Sequence, residues 1–386
     1  MALGYRIFGR PHEVEPPVKN FVMHHVSEEQ LQKAKILAER IKATLAVRET
    51  RVANNSLNAE FALPNFEWER VGKYTRFFVP TRELLEELRL HTTGFFGNFL
   101  VKNGLGKAPL PLKLKVKYKY LTVGVPEGII FRPPEACSEF GWWYGGSIVN
   151  VDSLMYQSHI TTLYRHGVID YLRSLPSLTI LEIGGGYGPL AYFFKELFPQ
   201  ARYYAVDIPE SLLFQAYYLL LVKGECVDVE RSVYDGSDPI LLSPERNTYT
   251  FIPNFLAHDL IGNASFDFVI NTASLGEMNE TQVEEYAKIV FKTLKPAGIF
   301  FEENSAVISP AEKIIRRHFQ HGETMWLQKR IWVHDKNVFE QLASLRRDRG
   351  LGTPLWVRAL DRAIALKWRM VEAYSWMRKK AYLCIA

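Results

Sequence analysis

Short apolar runs alternate along this chain with stretches whose apolar residues recur every three or four positions. The first pattern predicts buried strands and the second predicts amphipathic helices. Runs of strand length lie at residues 179–183, 203–206, 249–252, 266–270 and 299–301. Helical spacing fills residues 190–198, and again the stretch after Asn279, where Val283, Tyr286, Ile289 and Val290 turn inward behind an Asn279 cap. Upstream, Ser27 and Gln30 form a capping box for a helix over 27–45, with Leu31, Ala34, Leu37, Ala38 and Ile41 on one face. Residues 82–91 and 150–172 read as further helices, the second with Asp152 at or near its cap. Residues 112–123 (LKLKVKYKYLTV) alternate strictly, which predicts a half-buried strand. Downstream, 312–319 predicts a helix after the fifth strand, 325–333 an antiparallel edge arm, and 356–380 a helix with a basic outer face. The fold class is α/β, a Rossmann-like sheet flanked by helices. Its expected divisions are a mixed N-terminal accessory region over 1–132, a core over 133–335 and a basic helical C-terminal extension over 336–386.

The stretch TILEIGGGYGPLAYFFKELFPQARYYAVDIPE, residues 179–210, organises the rest. A strand, a turn crowded with Gly184, Gly185, Gly186 and Gly188, a helix, and a second strand ending in Asp207 form a unit suited to the ribose of a nucleoside-like cofactor. A dinucleotide fingerprint beginning at Gly184 and Gly186 needs a third glycine where Pro189 stands. Glu182, Gly184, Gly186 and Gly188 instead occupy every second position. This E-x-G-x-G-x-G pattern resembles motif I of the class I S-adenosylmethionine-dependent methyltransferases. S-adenosylmethionine has no pyrophosphate to seat on a helix N-terminus; its amino-acid end needs only a backbone that approaches closely, which glycine permits. The resemblance implies S-adenosyl-L-methionine as cofactor, with ribose hydroxyls on Asp207 beside Ile208 and the base near Pro253 and Asn254. Asp228 is a lesser candidate for the base, and Gln157 and Asn271 complete the expected cofactor contacts.

Three further segments narrow the family. Gly146, Val149, Asn150, Asp152, Tyr156 and Gln157 form a G-x-x-V-N-x-D-x-x-x-Y-Q arrangement just before the glycine turn. Beyond it come NTASLGEM, with Asn271, Ser274, Glu277 and Met278, and GIFFEENS at 298–305. Together these resemble the sugar O-methyltransferase family of bacteria over residues 133–305. The resemblance implies methyl transfer to a sugar hydroxyl without saying which one. Aromatic side chains suit the apolar faces of sugar rings, so Trp142 and Tyr144 are expected at the substrate, with Ser274 and Asn304.

Such a reaction needs in-line positioning and a group that takes the hydroxyl proton. Glu277, beyond the fourth strand, is the first candidate base and Glu303 the second; His258, His159 and His166 follow. No metal is expected, because Asp259, Asp267, Glu277 and Glu303 form no compact ligand motif and Asp267 begins a strand at the far end of the sheet. Nearest rivals are a phenolic or polyketide hydroxyl or an amine as acceptor, and a non-catalytic module that binds the cofactor.

Composition changes this picture little. The net charge of +5 comes from residues 310–386, where 16 Lys and Arg face 7 Asp and Glu; a solvated helix face is the expected reading, ahead of attraction to phosphorylated substrates or an anionic membrane surface. Cys137, Cys226 and Cys384 match neither a disulfide framework nor a zinc site. With no signal peptide and no transmembrane run, a cytoplasmic setting is expected. The chain lacks N-P-P-Y, D-P-P-Y and P-C motifs, so nucleic acid is not an expected partner. A small-molecule or glycan-linked sugar is, together with a second copy of the chain paired through the C-terminal helix.

Overall fold

The computed structural model describes residues 25–54, 56, 58–64, 75–92, 105–106, 110–237, 248–263, 265–304, 310–326 and 328–348. The helix expected over 356–380 lies outside them.

Helix α1 (Glu28–Ala53) is followed by short turns α2 (Ala59–Ala62), α3 (Arg82–Glu86) and α4 (Leu88–Thr92) and by the two-residue strand β1 (Leu105–Gly106). Helix α5 (Leu112–Thr122) precedes a hairpin of β2 (Gly141–Tyr144) and β3 (Ser147–Val149), and then α6 (Val151–Arg165) and α7 (Val168–Ser174). The core follows as β4 (Thr179–Ile183), α8 (Pro189–Leu197), β5 (Arg202–Asp207), α9 (Pro209–Lys223), β6 (Tyr249–Pro253), β7 (Phe266–Thr272) and α10 (Glu280–Thr293). It closes with β8 (Leu294–Glu303), α11 (Ala311–His318), β9 (His321–Trp326), β10 (Lys329–Val333) and α12 (Asn337–Asp348).

Seven strands form one sheet in the order β6-β5-β4-β7-β8-β10-β9. The five from β6 to β8 are parallel, and β10 runs antiparallel to both β8 and β9. The chain winds outward from β4 to β6, then crosses back to place β7 on the other side of β4. That reversal opens a crevice at the carboxyl ends of β4 and β7, where ligands bind in sheets of this kind. This is the Rossmann-like methyltransferase fold. Its strands are near-continuous apolar runs because both faces are covered: Ile180, Tyr203, Phe268 and Phe301 pack on the side of α1, α6 and α9, and Leu181, Tyr204, Val269 and Phe300 on the side of α10 and α11. Among the described residues no helix is long and apolar enough to cross a membrane.

Three sequence expectations need correction. Residues 112–123 are not a strand but helix α5, started at Pro111. Leucine and lysine sustain a helix as readily as an alternating strand, and the packing of Tyr120 and Leu121 decides the outcome; Leu112 and Val116 remain exposed. The helix expected over 150–172 breaks in two at Gly167, which has φ +84°, and a Cβ there would lie 2.8 Å from the Leu342 carbonyl oxygen. The break lets α12 approach closely. The segment 82–91 is likewise two short helices, α3 and α4, rather than one. The Ser27–Gln30 capping box and the Asn279 cap are present as expected.

The N-terminal helices join the core through buried charge. Arg48 donates to both oxygens of Glu210 on α9, at 3.2 and 2.8 Å. Arg89, completely buried, donates to Glu139 at 2.7 and 3.2 Å and to Asp152 at 2.9 Å, and its guanidinium lies 3.9 Å from the ring centre of Tyr187 in the glycine turn. This cation thus links α4, the chain before β2, the first turn of α6 and the cofactor loop. Replacing it strands two buried carboxylates, a change that costs about 3–5 kcal/mol. Arg89→Met is therefore expected to lower the urea midpoint sharply, whereas Arg82→Ala, which breaks an exposed pair with Glu28, should change stability by less than about 1 kcal/mol. Equal effects would remove Arg89 from this role.

Candidate active site

The glycine turn leaves β4 at the crevice. Gly184, Gly186 and Gly188 have φ of 70°, 60° and 97°, a region L side chains rarely enter. Gly185 has no room for a side chain: a Cβ would sit 2.4 Å from Glu182 Oε2 and 2.5 Å from Gln215 Nε2. Beneath the turn, Gln215 donates from α9 to buried Glu182 at 3.1 Å. Beside it, the Gly184 amide donates to the Val206 carbonyl at 2.8 Å, tying the turn to β5. Asp207 closes β5, accepting from the Ile208 amide at 2.8 Å on one oxygen and from the Ser211 hydroxyl at 3.0 Å on the other. The Gly186 amide of the glycine turn bonds the same carboxyl. Burial pushes both Glu182 and Asp207 up to about 7.

Across the crevice, Asn271 at the end of β7 donates to the Ile183 carbonyl at 2.8 Å and also to the Ser274 hydroxyl. Ser274 reaches the same carbonyl at 3.2 Å. Asn304, just past β8, donates to Asn271 Oδ1 and to Glu302, each at 2.9 Å, and accepts from the Gly276 amide at 2.8 Å. Arg330 completes the network at 3.1 Å from Glu302 and 2.8 Å from Glu312. Ala273, at φ 68°, makes the sharp turn that this bonding requires, and its amide donates to the Glu303 carbonyl at 2.8 Å.

The structure thus gathers Glu182, the four glycines, Asp207, Ile208, Asn271, Ser274 and Asn304 around one crevice. Pro253 ends β6, and Asn254 follows it, buried, donating to the Phe61 and Ala62 carbonyls at 3.1 Å each while its Oδ1 has no partner. The Gln157 amide is engaged on the protein itself, accepting from the Phe131 amide and donating to Thr161 at 2.9 Å. Trp142 and Tyr144 pack in a small cluster with Tyr118, Tyr120 and Trp326, and it is Trp143 that stands 53% exposed. Asp228 accepts from the Glu230 amide in an exposed turn.

Among the candidate bases, Glu277 is half-buried at the end of the turn after β7. Glu303 is ill-suited to take a proton. Lys329 at 3.0 Å and His159 at 2.8 Å hold its carboxyl well below the usual range despite burial. His258 bonds Glu285 of α10 at 2.9 Å and packs edge-on against Phe61. His166 lies at the end of α6, its Nδ1 2.8 Å from the Thr162 carbonyl. Asp267 accepts from the Thr179 amide and from Lys295 at the opposite end of the sheet. Among the described residues no three His, Cys, Asp or Glu side chains gather as metal ligands would. Sequence reasoning passed over Gln215, Arg89 and Lys329, because no local spacing marks a residue whose partner is more than twenty-five positions away.

No family model matches this chain, and no curated protein matches it. Similar solved structures include the precorrin-6y C5,15-methyltransferase of Geobacter metallireducens, at 19% identity over 43% of this chain and 72% of that one, with a TM-score of 0.31. A TehB-like SAM-dependent methyltransferase of Corynebacterium glutamicum shares 12% identity over 44% of this chain and 85% of its own, with a TM-score of 0.30. The Thermus thermophilus 16S rRNA N2 G1207 methyltransferase, solved with AdoMet and guanosine, shares 14% identity over 49% and 43%, with a TM-score of 0.33. At these scores the likenesses are partial, and the fold assignment stands on the strand order.

Two raised carboxyls make stability depend on pH. Between their ordinary values near 4 and about 7 the folded chain keeps protons that the unfolded chain releases, so stability falls as pH rises through that window. Glu182→Gln removes one share of this loss. The variant is expected to be more stable than the parent by about 1–3 kcal/mol at pH 8, with the gap closing toward pH 5. Parallel melting profiles across that range would contradict the burial of an ionisable Glu182.

Proposed function

We propose that this chain binds S-adenosylmethionine on the glycine turn and transfers its methyl group to a hydroxyl, with a sugar or sugar-containing metabolite as acceptor. One observation carries the reading: the E-x-G-x-G-x-G turn at the switch point of the sheet, with Asp207 ending the neighbouring strand and Pro189 where a dinucleotide site needs glycine. The residues fit the cofactor. Gly184, Gly185, Gly186 and Gly188 let the backbone of the turn approach the amino-acid end closely, while the Tyr187 ring is buried against Arg89. The Asp207 carboxylate at the end of β5 is an acceptor suited to ribose hydroxyls, and the unpartnered Asn254 Oδ1 suits the amino group of adenine. When bound, the cofactor supplies an electrophilic methyl group on a sulfonium.

The protein's remaining tasks are to orient the acceptor and to accept its proton. Ser274, half-buried and held by Asn271, suits the orientation of a polyol, while buried Asn304 fixes Asn271 and the Gly276 amide behind it. The sugar assignment draws on the resemblance carried by Gly146–Gln157 and by Asn271, Ser274, Glu277 and Met278. The exposed indole of Trp143 is a surface on which a sugar ring can stack.

Calorimetric titration tests the reading. S-adenosylhomocysteine is expected to bind at micromolar Kd and NADH not at all, with Asp207→Ala weakening the first by roughly 10–100-fold. Binding should tighten from pH 6 to pH 8 as Asp207 ionises. Binding of NADH, or no binding of S-adenosylhomocysteine, would overturn it.

A further inference from the structure

The glycine turn offers the rest of the chain few handles. Between Gly184 and Gly188 only Tyr187 carries a side chain, so whatever grips that ring helps to set where the turn lies. Tyr187 is buried, edge-on to Tyr218 of α9 at 5.2 Å and to Tyr156 of α6 at 6.3 Å. The Arg89 guanidinium lies 3.9 Å from its ring centre. A desolvated cation against an aromatic ring is among the stronger contacts such a ring can make. The same guanidinium reaches the aromatic hairpin. It lies 5.1 Å from the ring centre of Phe140, which precedes β2, and donates to both oxygens of Glu139. Glu139 accepts from the Asn150 side chain at 3.0 Å, and Asn150 also donates to the Phe140 carbonyl at 2.7 Å. Phe140 and Asn150 flank β2 and β3, so Arg89 and Glu139 together close the base of the hairpin that carries Trp143. The backbone there is strained. Cys137 and Ser138, just before Glu139, stand at φ 59° and 58° without being glycine. Residues in that region persist where the bonds around them over-determine their position. Here the Arg89 amide donates to the Cys137 carbonyl at 3.0 Å and the Ser138 hydroxyl to the Glu86 carbonyl at 2.8 Å.

We propose that Arg89 is the positioning residue of the cofactor site: through Tyr187 it fixes the glycine turn, and through Glu139 it locks that turn to the hairpin beside the acceptor. This rests on the methyl-transfer reading above. Apolar side chains could hold these elements together as firmly, so stability alone does not call for a buried cation. A guanidinium suits the task because its planar fork bridges two carboxylates while its face lies on a ring, and a lysine ammonium cannot do both. Cofactor arriving on the turn thereby loads the hairpin. The N-terminal segment that supplies Arg89 is then part of the cofactor site.

Calorimetric titration of the full chain and its folded variants with S-adenosylhomocysteine is the test. Tyr187→Phe keeps the ring and is expected to bind within about threefold of the parent, whereas Tyr187→Leu should weaken binding about tenfold. Arg89→Lys keeps the charge but not the fork, and should weaken binding by a similar factor. The double variant of Arg89→Lys and Tyr187→Leu should bind no worse than Tyr187→Leu alone, because both changes remove one contact. Fluorine-19 NMR with 5-fluorotryptophan reads the hairpin, the Trp143 signal being assigned with Trp143→Phe. Saturating S-adenosylhomocysteine should move that signal in the parent and leave it in place in Tyr187→Leu. A purely structural Arg89 would lower the melting temperature without this pattern. The proposal fails if Tyr187→Leu binds as the parent does, if the two losses add in the double variant, or if Trp143 responds alike in parent and Tyr187→Leu. Should Tyr187→Leu not fold, parental affinity in Arg89→Lys is the result that overturns it. If the parent binds no S-adenosylhomocysteine, it is the methyl-transfer reading that fails, and the proposal with it.

Discussion

A single asparagine sets the geometry on which the rest of this molecule depends. Asn271 ends β7, donates to the last carbonyl of β4 and accepts from Asn304 beyond β8, so one amide fixes the ends of three parallel strands. These ends form the crevice that the reversal in strand order opens. Its energetic cost is visible next door in Ala273, a non-glycine residue at φ 68°. A backbone strained at such a point persists because the bonds around it over-determine its position.

Strand β8 then separates two electrostatic environments by simple alternation. Glu302 points to one face, where Arg330 and Asn304 satisfy it and make it structural. Glu303 points to the other, where His159 and Lys329 meet it. Two adjacent carboxylates thus acquire opposite fates: burial raises the first above its ordinary pKa, and cations hold the second below it. The same principle holds at the glycine turn, where Glu182 and Asp207 carry no cation partner and rise toward neutrality. Charge is arranged here by which face of a strand a residue occupies.

How much of this could be read in the sequence follows from what each feature depends on. The core strands, the glycine turn and the caps at Ser27 and Asn279 rest on local periodicity and spacing, and those were legible. Residues 112–123 were misread because a lysine–leucine alternation is locally ambiguous and only the distant packing of Tyr120 and Leu121 resolves it. The break at Gly167 depends on the approach of Leu342, far along the chain. Within the site, Asn271, Ser274 and Asn304 come together at the carboxyl ends of β7 and β8. Their bonding to one another, like the pairing of His159 with Glu303, arises between elements separated by dozens to more than a hundred residues and leaves no local mark.

The central claim is that the glycine turn and Asp207 hold an adenosyl cofactor at the parting of β4 and β7. A crystal structure with S-adenosylhomocysteine tests it most directly. The account predicts the ribose hydroxyls on the Asp207 carboxylate, the amino-acid end along Gly184–Gly188 and the base beside Asn254. Adenosine density elsewhere, with Asp207 left to Gly186, Ile208 and Ser211, would contradict it.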